Sequence, residues 1–108
     1  EDRAHALGVE LDIRQSNHEG HLIDWLHESQ AKGAKAAILN AGGFSHTSVA
    51  LHDAVKAVSV PVIEVHLSNP QAREGFRRRS LIAPAAAGTI AGFGALGYEL
   101  ALDAAARL

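Results

Sequence analysis

The sequence contains no cysteine and no methionine, and only one tryptophan and one tyrosine among its 108 residues. Without cysteine there is no disulfide framework and no thiol chemistry. That fits a reducing compartment, and cytoplasmic residence is the expectation. No apolar run reaches the length of a membrane span, and no signal peptide is visible. Charge of one sign is also scarce in excess. The net charge is −2, so nothing suggests a broad attraction to nucleic acid or to an anionic membrane. The one dense basic cluster, Arg77-Arg78-Arg79, is too short to change this and reads as solvated surface.

What is present is a normal globular balance, 47% hydrophobic and 20% charged, in a length that suits one domain with a single core. Helical and strand periods alternate along it. The opening EDRAHALG reads as a helix already in progress, stopped by Gly8. Val9, Leu11 and Ile13 alternate with Glu10, Asp12 and Arg14, as in a strand with one wetter face. Ser16 stands three residues before Glu19, matching a capping box, and Leu22, Ile23 and Leu26 then recur at helical spacing until Gly33. Residues 36–39 form a short apolar run, a candidate buried strand. Ser45, Thr47 and Ser48 offer N-caps for a helix whose stripe is Val49, Ala50, Ala54 and Val55. Residues 61–65 and 89–92 are the remaining strands, and residues 95–108 a final Ala/Leu helix. Strands separated by helical patterns imply βαβ units and a parallel sheet with helices on both faces.

In open parallel sheets, ligands bind beyond the carboxyl ends of the strands. Three loops leave those ends: QSNHEG (15–20), NAGGFSHTS (40–48) and EVHLSN (64–69). Each carries Asn, His and Ser, so three segments should place polar groups along one rim. Glu64 and His66 are two apart and face the same side of an extended strand. A carboxylate beside an imidazole fixes its tautomer and stabilises its protonated form, which makes a general acid or base. A buried His–Glu pair with only a structural role is the alternative. Gly42-Gly43 after Asn40 lets backbone amides approach a ligand ahead of a helix, or forms an ordinary strand-to-helix turn. Neither this pair nor GFGALG at 92–97 matches a dinucleotide or P-loop fingerprint. His18, His46 and His66 could converge on a metal ion, but there is no HxxxH pair on a helix and carboxylates are thin in these loops. No metal site is expected. His5, His21, His27 and His52 fall on helices as surface groups.

The segments QSNHEG–LIDWLH, ILNAGGFSHTSVALHDA, PVIEVHLSN–AREGFRRRS and GFGALGYELAL together resemble the type II 3-dehydroquinate dehydratases, in the right order over nearly the whole chain. The resemblance implies a flavodoxin-like three-layer α/β sandwich with a parallel sheet of order 2-1-3-4-5. It implies dehydration of 3-dehydroquinate to 3-dehydroshikimate by anti elimination through an enolate, in the shikimate pathway or in quinate catabolism, with no metal and no cofactor. His66 would be the general acid, oriented by Glu64. Asn40 would hold the water linked to the enolate oxygen. His46 and Arg77 would bind ring hydroxyls, and Ser68 with the backbone amide of Leu67 the substrate carboxylate. Asp53 would reach a neighbouring subunit's site in trimers assembled into a dodecamer.

The sequence departs from the family's pattern at its start. Relatives open with a strand and a loop carrying an asparagine, an arginine and the tyrosine that acts as base, and none of these motifs precedes EDRAHALGVELD. Residues 1–108 are therefore expected to be a single dehydroquinase domain without its first strand and catalytic loop, about 30 to 40 residues. As given, the chain should lack the base, since Tyr98 lies in the final helix and matches another family position. A gap would open in the sheet beside residues 9–14, leaving exposed strand edges. Phe44 stands where relatives usually carry tyrosine, and Gly75 and Arg79 replace a common Glu and His. An inactive flavodoxin-like module that binds a polyhydroxy carboxylate is the alternative function. A purely structural or regulatory domain leaves the loop residues unexplained.

Overall fold

The computed structural model describes residues 2–108. Its elements run α1 (Asp2–Leu7), α2 (Glu19–Ala31), β1 (Ala37–Leu39), α3 (Phe44–Thr47), α4 (Val49–Ala57), β2 (Val62–His66), two 3-10 turns (Pro70–Ala72 and Gly75–Arg77), β3 (Gly88–Ala91) and α5 (Leu96–Ala106). Every helix and strand expected from periodicity is found within a few residues of its expected bounds, with one exception. The sheet has three parallel strands in the order β1-β2-β3. Residues 9–14, expected as a strand, carry no regular structure. A strand exists only as a member of a ladder, and among the described residues β1 pairs only with β2. Side chains hold this segment instead: Arg14 reaches both carboxylate oxygens of Glu28 on α2 at 2.8 Å. That fork, with Lys32 beside it, holds the Glu28 carboxyl down at about 2.

β2 is the centre of the molecule, and all five of its residues are buried. Its alternation sorts them into two faces. Val62 joins Leu26, Leu39, Leu51, Ala54, Val55, Val58 and Ile82 in a core between the sheet and the α2–α4 pair. Ile63 and Val65 pack with Ala101 of α5, flanked by Ile38, Ile90, Ala104 and Ala105. Helices thus cover both faces, as the βαβ pattern requires. Gly97 lets α5 lie close to the sheet, because a Cβ there would sit 3.4 Å from Val65 Cγ1. Arg3 pairs with Asp103 at 2.6 Å and ties α1 to α5.

The capping box is replaced by a different arrangement. Ser16 Oγ accepts from the His18 amide at 3.0 Å, which closes a local turn one residue too early, and α2 starts after His18 without a side-chain cap. Glu19 instead accepts from Ser48 Oγ, and Ser48 caps α4 by accepting from the Leu51 amide at 2.8 Å. The two polar side chains therefore join the starts of α2 and α4. Among the described residues no helix is long and apolar enough to cross a membrane.

Candidate active site

Two of the three loops predicted to converge do so. The carboxyl ends of β1 and β2 open on a cavity of about 330 Å³ lined by residues of NAGGFSHTS, EVHLSN and the following turns. Asn40, His46, His66, Leu67, Ser68 and Arg77 are all on its wall, as the sequence implied. The QSNHEG loop is not. It follows the unladdered segment 9–14 and is spent on its own turn and on His21, whose Nδ1 lies 2.8 Å from Ser16 Oγ. His18 therefore stands apart from His46 and His66. Among the described residues no group of His, Asp and Glu could hold a metal ion.

Glu64 and His66 project to the same side of β2, the α4 side, by strand alternation. Glu64 is fully buried, and its Oε2 is 3.1 Å from His66 Nε2. Ser80 Oγ donates to the same oxygen at 2.6 Å, and Thr89 Oγ1 donates to Oε1 at 3.2 Å. Burial is the largest single influence and pushes the Glu64 carboxyl up. The hydrogen bonds from His66, Ser80 and Thr89, with the attraction of the imidazole, together outweigh it and hold the group below its ordinary value. A buried carboxylate is thus kept charged beneath an imidazole that faces the cavity. Neither Ser80 nor Thr89 carries a local sequence signal. Thr89 is placed by register, directly opposite Glu64 across the β2–β3 ladder.

His46 stacks on His66 with ring centroids 6.2 Å apart and planes 21° from parallel. Its Nδ1 contacts the Arg79 carbonyl at 2.8 Å. A carbonyl only accepts, so Nδ1 carries the hydrogen and Nε2 of neutral His46 is left as an acceptor. Asn40 is held from two sides: its Oδ1 accepts from the Gly42 amide at 3.1 Å, and its Nδ2 donates to Tyr98 OH at 2.9 Å. Gly42 adopts a φ of +57°, which turns the chain sharply enough for that first bond. The Gly42 amide is therefore engaged by Asn40 and is not offered to a ligand, and α3 is only four residues long. The glycine pair forms the strand-to-helix turn, and both glycines line the cavity.

Arg73 and Arg77 both reach the cavity wall. Arg77 donates through Nε to Glu74 and lies over the Phe76 ring, 4.8 Å from its centroid. Arg73 was not singled out from sequence, although it sits four residues before Arg77 in the same AREGFRRRS turn. Asp53 is exposed on α4 and away from this cavity. Phe44 packs against the hydrophobic core, so its missing hydroxyl is not lost from the cavity wall. It gives no support to an inactive binding module. Of the histidines expected at the surface, His21 and His27 are exposed. The His5 side chain lies outside the described residues. His52 is half-buried and donates from Nδ1 to the Leu81 carbonyl, so it is a structural group.

The family model for dehydroquinase class II matches residues 1–106. The chain belongs to the type II dehydroquinase family. A 3-dehydroquinate dehydratase of Phenylobacterium zucineum is 57% identical over 108 residues, covering 100% of this chain and 74% of that protein. One from Chelativorans is 61% identical over 107 residues, covering 97% of this chain and 73% of that protein. Among solved structures, the type II dehydroquinase of Propionibacterium acnes superposes with a TM-score of 0.93 at 36% identity, covering 99% of this chain and 78% of its own. That of Butyrivibrio crossotus does so with a TM-score of 0.94 at 38% identity, covering 96% and 72%. The three-strand parallel sheet with helices on both faces is a flavodoxin-like α/β arrangement, in agreement with the expected fold class.

Proposed function

We propose that the chain dehydrates 3-dehydroquinate to 3-dehydroshikimate by anti elimination through an enolate. The observation that carries this reading is the buried, charged Glu64 beneath His66 at the wall of a cavity whose other polar groups suit a small polyhydroxylated anion. The cavity volume falls at the low end of the ~300–1,000 Å³ of small-molecule sites.

In this reading a base removes a proton from the carbon beside the ketone, leaving an enolate. The enolate oxygen then re-forms the C=O bond, the enolate C=C pair becomes the new ring C=C bond, and the C–O bond to the leaving hydroxyl breaks. His66 delivers a proton to that hydroxyl, which departs as water, and Glu64 stabilises the imidazolium beforehand. The chemistry needs neither a metal nor an organic cofactor, because the ketone already acidifies the neighbouring C–H. Among residues 1–108 we assign no base. Ser68, the Leu67 amide and the cationic rim of Arg73 and Arg77 suit the carboxylate end, and Arg77 and the free Nε2 of His46 suit the ring hydroxyls. Asn40 keeps one Nδ2 hydrogen free for the enolate side, directly or through a water.

The deciding experiment follows the enone absorbance of dehydroshikimate on addition of dehydroquinate to the full-length protein. His66→Ala should lower kcat by about 10²- to 10⁴-fold, the range of a positioned general acid, with an unchanged circular dichroism spectrum. Turnover undiminished in that variant would remove His66 from the mechanism. We further propose assembly as trimers grouped into a dodecamer, with exposed Asp53 reaching a neighbour's cavity rather than its own. Sedimentation showing a monomer at micromolar concentration would contradict it.

A further inference from the structure

The Ser80 hydroxyl has one hydrogen to give and two lone pairs to accept with. Both acceptor positions are taken, by the backbone amides of Ile82 at 3.1 Å and Ala83 at 3.0 Å. Its hydrogen therefore has one destination, Glu64 Oε2 at 2.6 Å. Oε2 keeps a second lone pair, which faces His66 Nε2 at 3.1 Å, and the bonds from Ser80 to Oε2 and from Thr89 to Oε1 favour the charged carboxylate, which can only accept. The hydrogen between Glu64 and His66 then belongs to Nε2.

We propose that Ser80 is a positioning residue for His66: by giving its hydrogen to Glu64 it favours the carboxylate that holds a proton on Nε2 of the imidazole, which makes Nδ1 the atom that exchanges a proton with substrate. This rests on the dehydratase reading for its last step, whereas the tautomer follows from the contacts alone. Among the described residues no hydrogen-bond partner holds Nδ1. The elimination then balances as a transfer of one proton from Nδ1–H of the imidazolium to the leaving hydroxyl, which departs as water with the C–O electron pair. The ring is left neutral with its remaining hydrogen on Nε2, still bound to Glu64. Recharging the site requires a proton at Nδ1 only.

The surroundings make Ser80 the decisive donor. At the register of Glu64, β1 presents Leu39 and β3 presents Thr89, so His66 is the titratable group in direct contact, with His46 stacked behind it. Thr89 donates to the other oxygen at 3.2 Å, a longer bond than the 2.6 Å from Ser80, and its hold on the carboxylate is the weaker of the two. Without the Ser80 hydroxyl the carboxylate loses its shortest hydrogen bond, which favours a proton on Oε2 directed at Nε2. That inverts the ring and leaves its hydrogen on Nδ1 in the neutral state.

The test is nitrogen NMR of the His66 side chain together with the pH dependence of kcat. The wild-type chain should show neutral His66 as the Nε2–H tautomer. Ser80→Ala should shift that population toward Nδ1–H, lower kcat by about tenfold, a part of the ~10²–10⁴ that a general acid supplies, and move the acid limb to higher pH. Ser80→Thr, which keeps the hydroxyl, should restore all three. Because Ser80→Ala also frees two backbone amides and can destabilise the loop, Thr89→Val serves as a second variant. It should move the acid limb in the same direction by less and keep the Nε2–H tautomer. Wild-type protein with neutral His66 protonated on Nδ1 would overturn the assignment, as would a Ser80→Ala variant with unaltered tautomer, rate and acid limb. Protein that shows the Nε2–H tautomer but no turnover of dehydroquinate would uphold the Ser80 assignment and overturn the dehydratase reading alone.

Discussion

Asn40 Nδ2 donates to Tyr98 OH at 2.9 Å, and so joins the loop after β1 to the first turn of α5 across 58 residues of sequence. The bond fixes which way the Asn40 amide faces, because the Gly42 amide already requires its oxygen on the opposite side. Tyr98→Phe keeps the ring and removes only this acceptor. The expected result is a fall in kcat/KM of about fivefold, the equivalent of the ~1 kcal/mol of one neutral hydrogen bond. In an Asn40→Ala background the same change should have no further effect. Additive losses would show that Tyr98 acts through something other than Asn40.

Glu64 makes folding stability depend on acid pH in a defined direction. Its folded-state value is held below the ordinary 4.5, so the unfolded chain binds the proton more readily than the folded one. The stabilisation is therefore fully present above about pH 4.5 and is lost as pH falls through the lower, folded-state value. Urea unfolding of wild type and Glu64→Gln between pH 7 and pH 3 measures this. The gap between the two should be widest at neutral pH and close on acidification. A gap that stays constant over the whole range would mean that the carboxylate's charge contributes nothing.

Ser48 caps α4 and donates to Glu19, so its loss affects two helix starts at once. Ser48→Ala should cost about 1–2 kcal/mol, the upper part of the range for losing an N-cap. In a domain near 100 residues each kcal/mol moves Tm by about 4–8 °C. A thermal melt within about 2 °C of wild type, half the smallest shift expected, would rule out the cap as a stabilising contact.

Arg77 offers a planar fork to the cavity while its Nε is bound to Glu74 and its face lies on Phe76. Arg77→Lys keeps the charge and loses the fork. KM should rise about tenfold, equivalent to the ~1.5 kcal/mol of one hydrogen bond to a charged group, with kcat changed far less. An equal loss in kcat with no change in KM would place Arg77 in the transition state rather than in ground-state binding.

The sequence by itself determined the helix and strand order, because hydrophobic period and cap residues are local properties of the chain. It also determined that Glu64 and His66 share a face, since strand alternation is set by spacing two residues apart. The loops EVHLSN and NAGGFSHTS were legible as rim segments for the same reason: both follow strands that the pattern marks clearly. Only the tertiary structure decided which donors surround Glu64. Thr89 arrives by strand register, Ser80 by the course of an irregular loop, and Tyr98 by the packing of α5 on the sheet through Gly97. Each of these contacts spans 16 or more residues, and no short-range pattern encodes such distances. The segment at 9–14 shows the converse. Its alternation is a local fact, but a strand is a relation between neighbours, and residues 9–14 have no ladder partner in this structure.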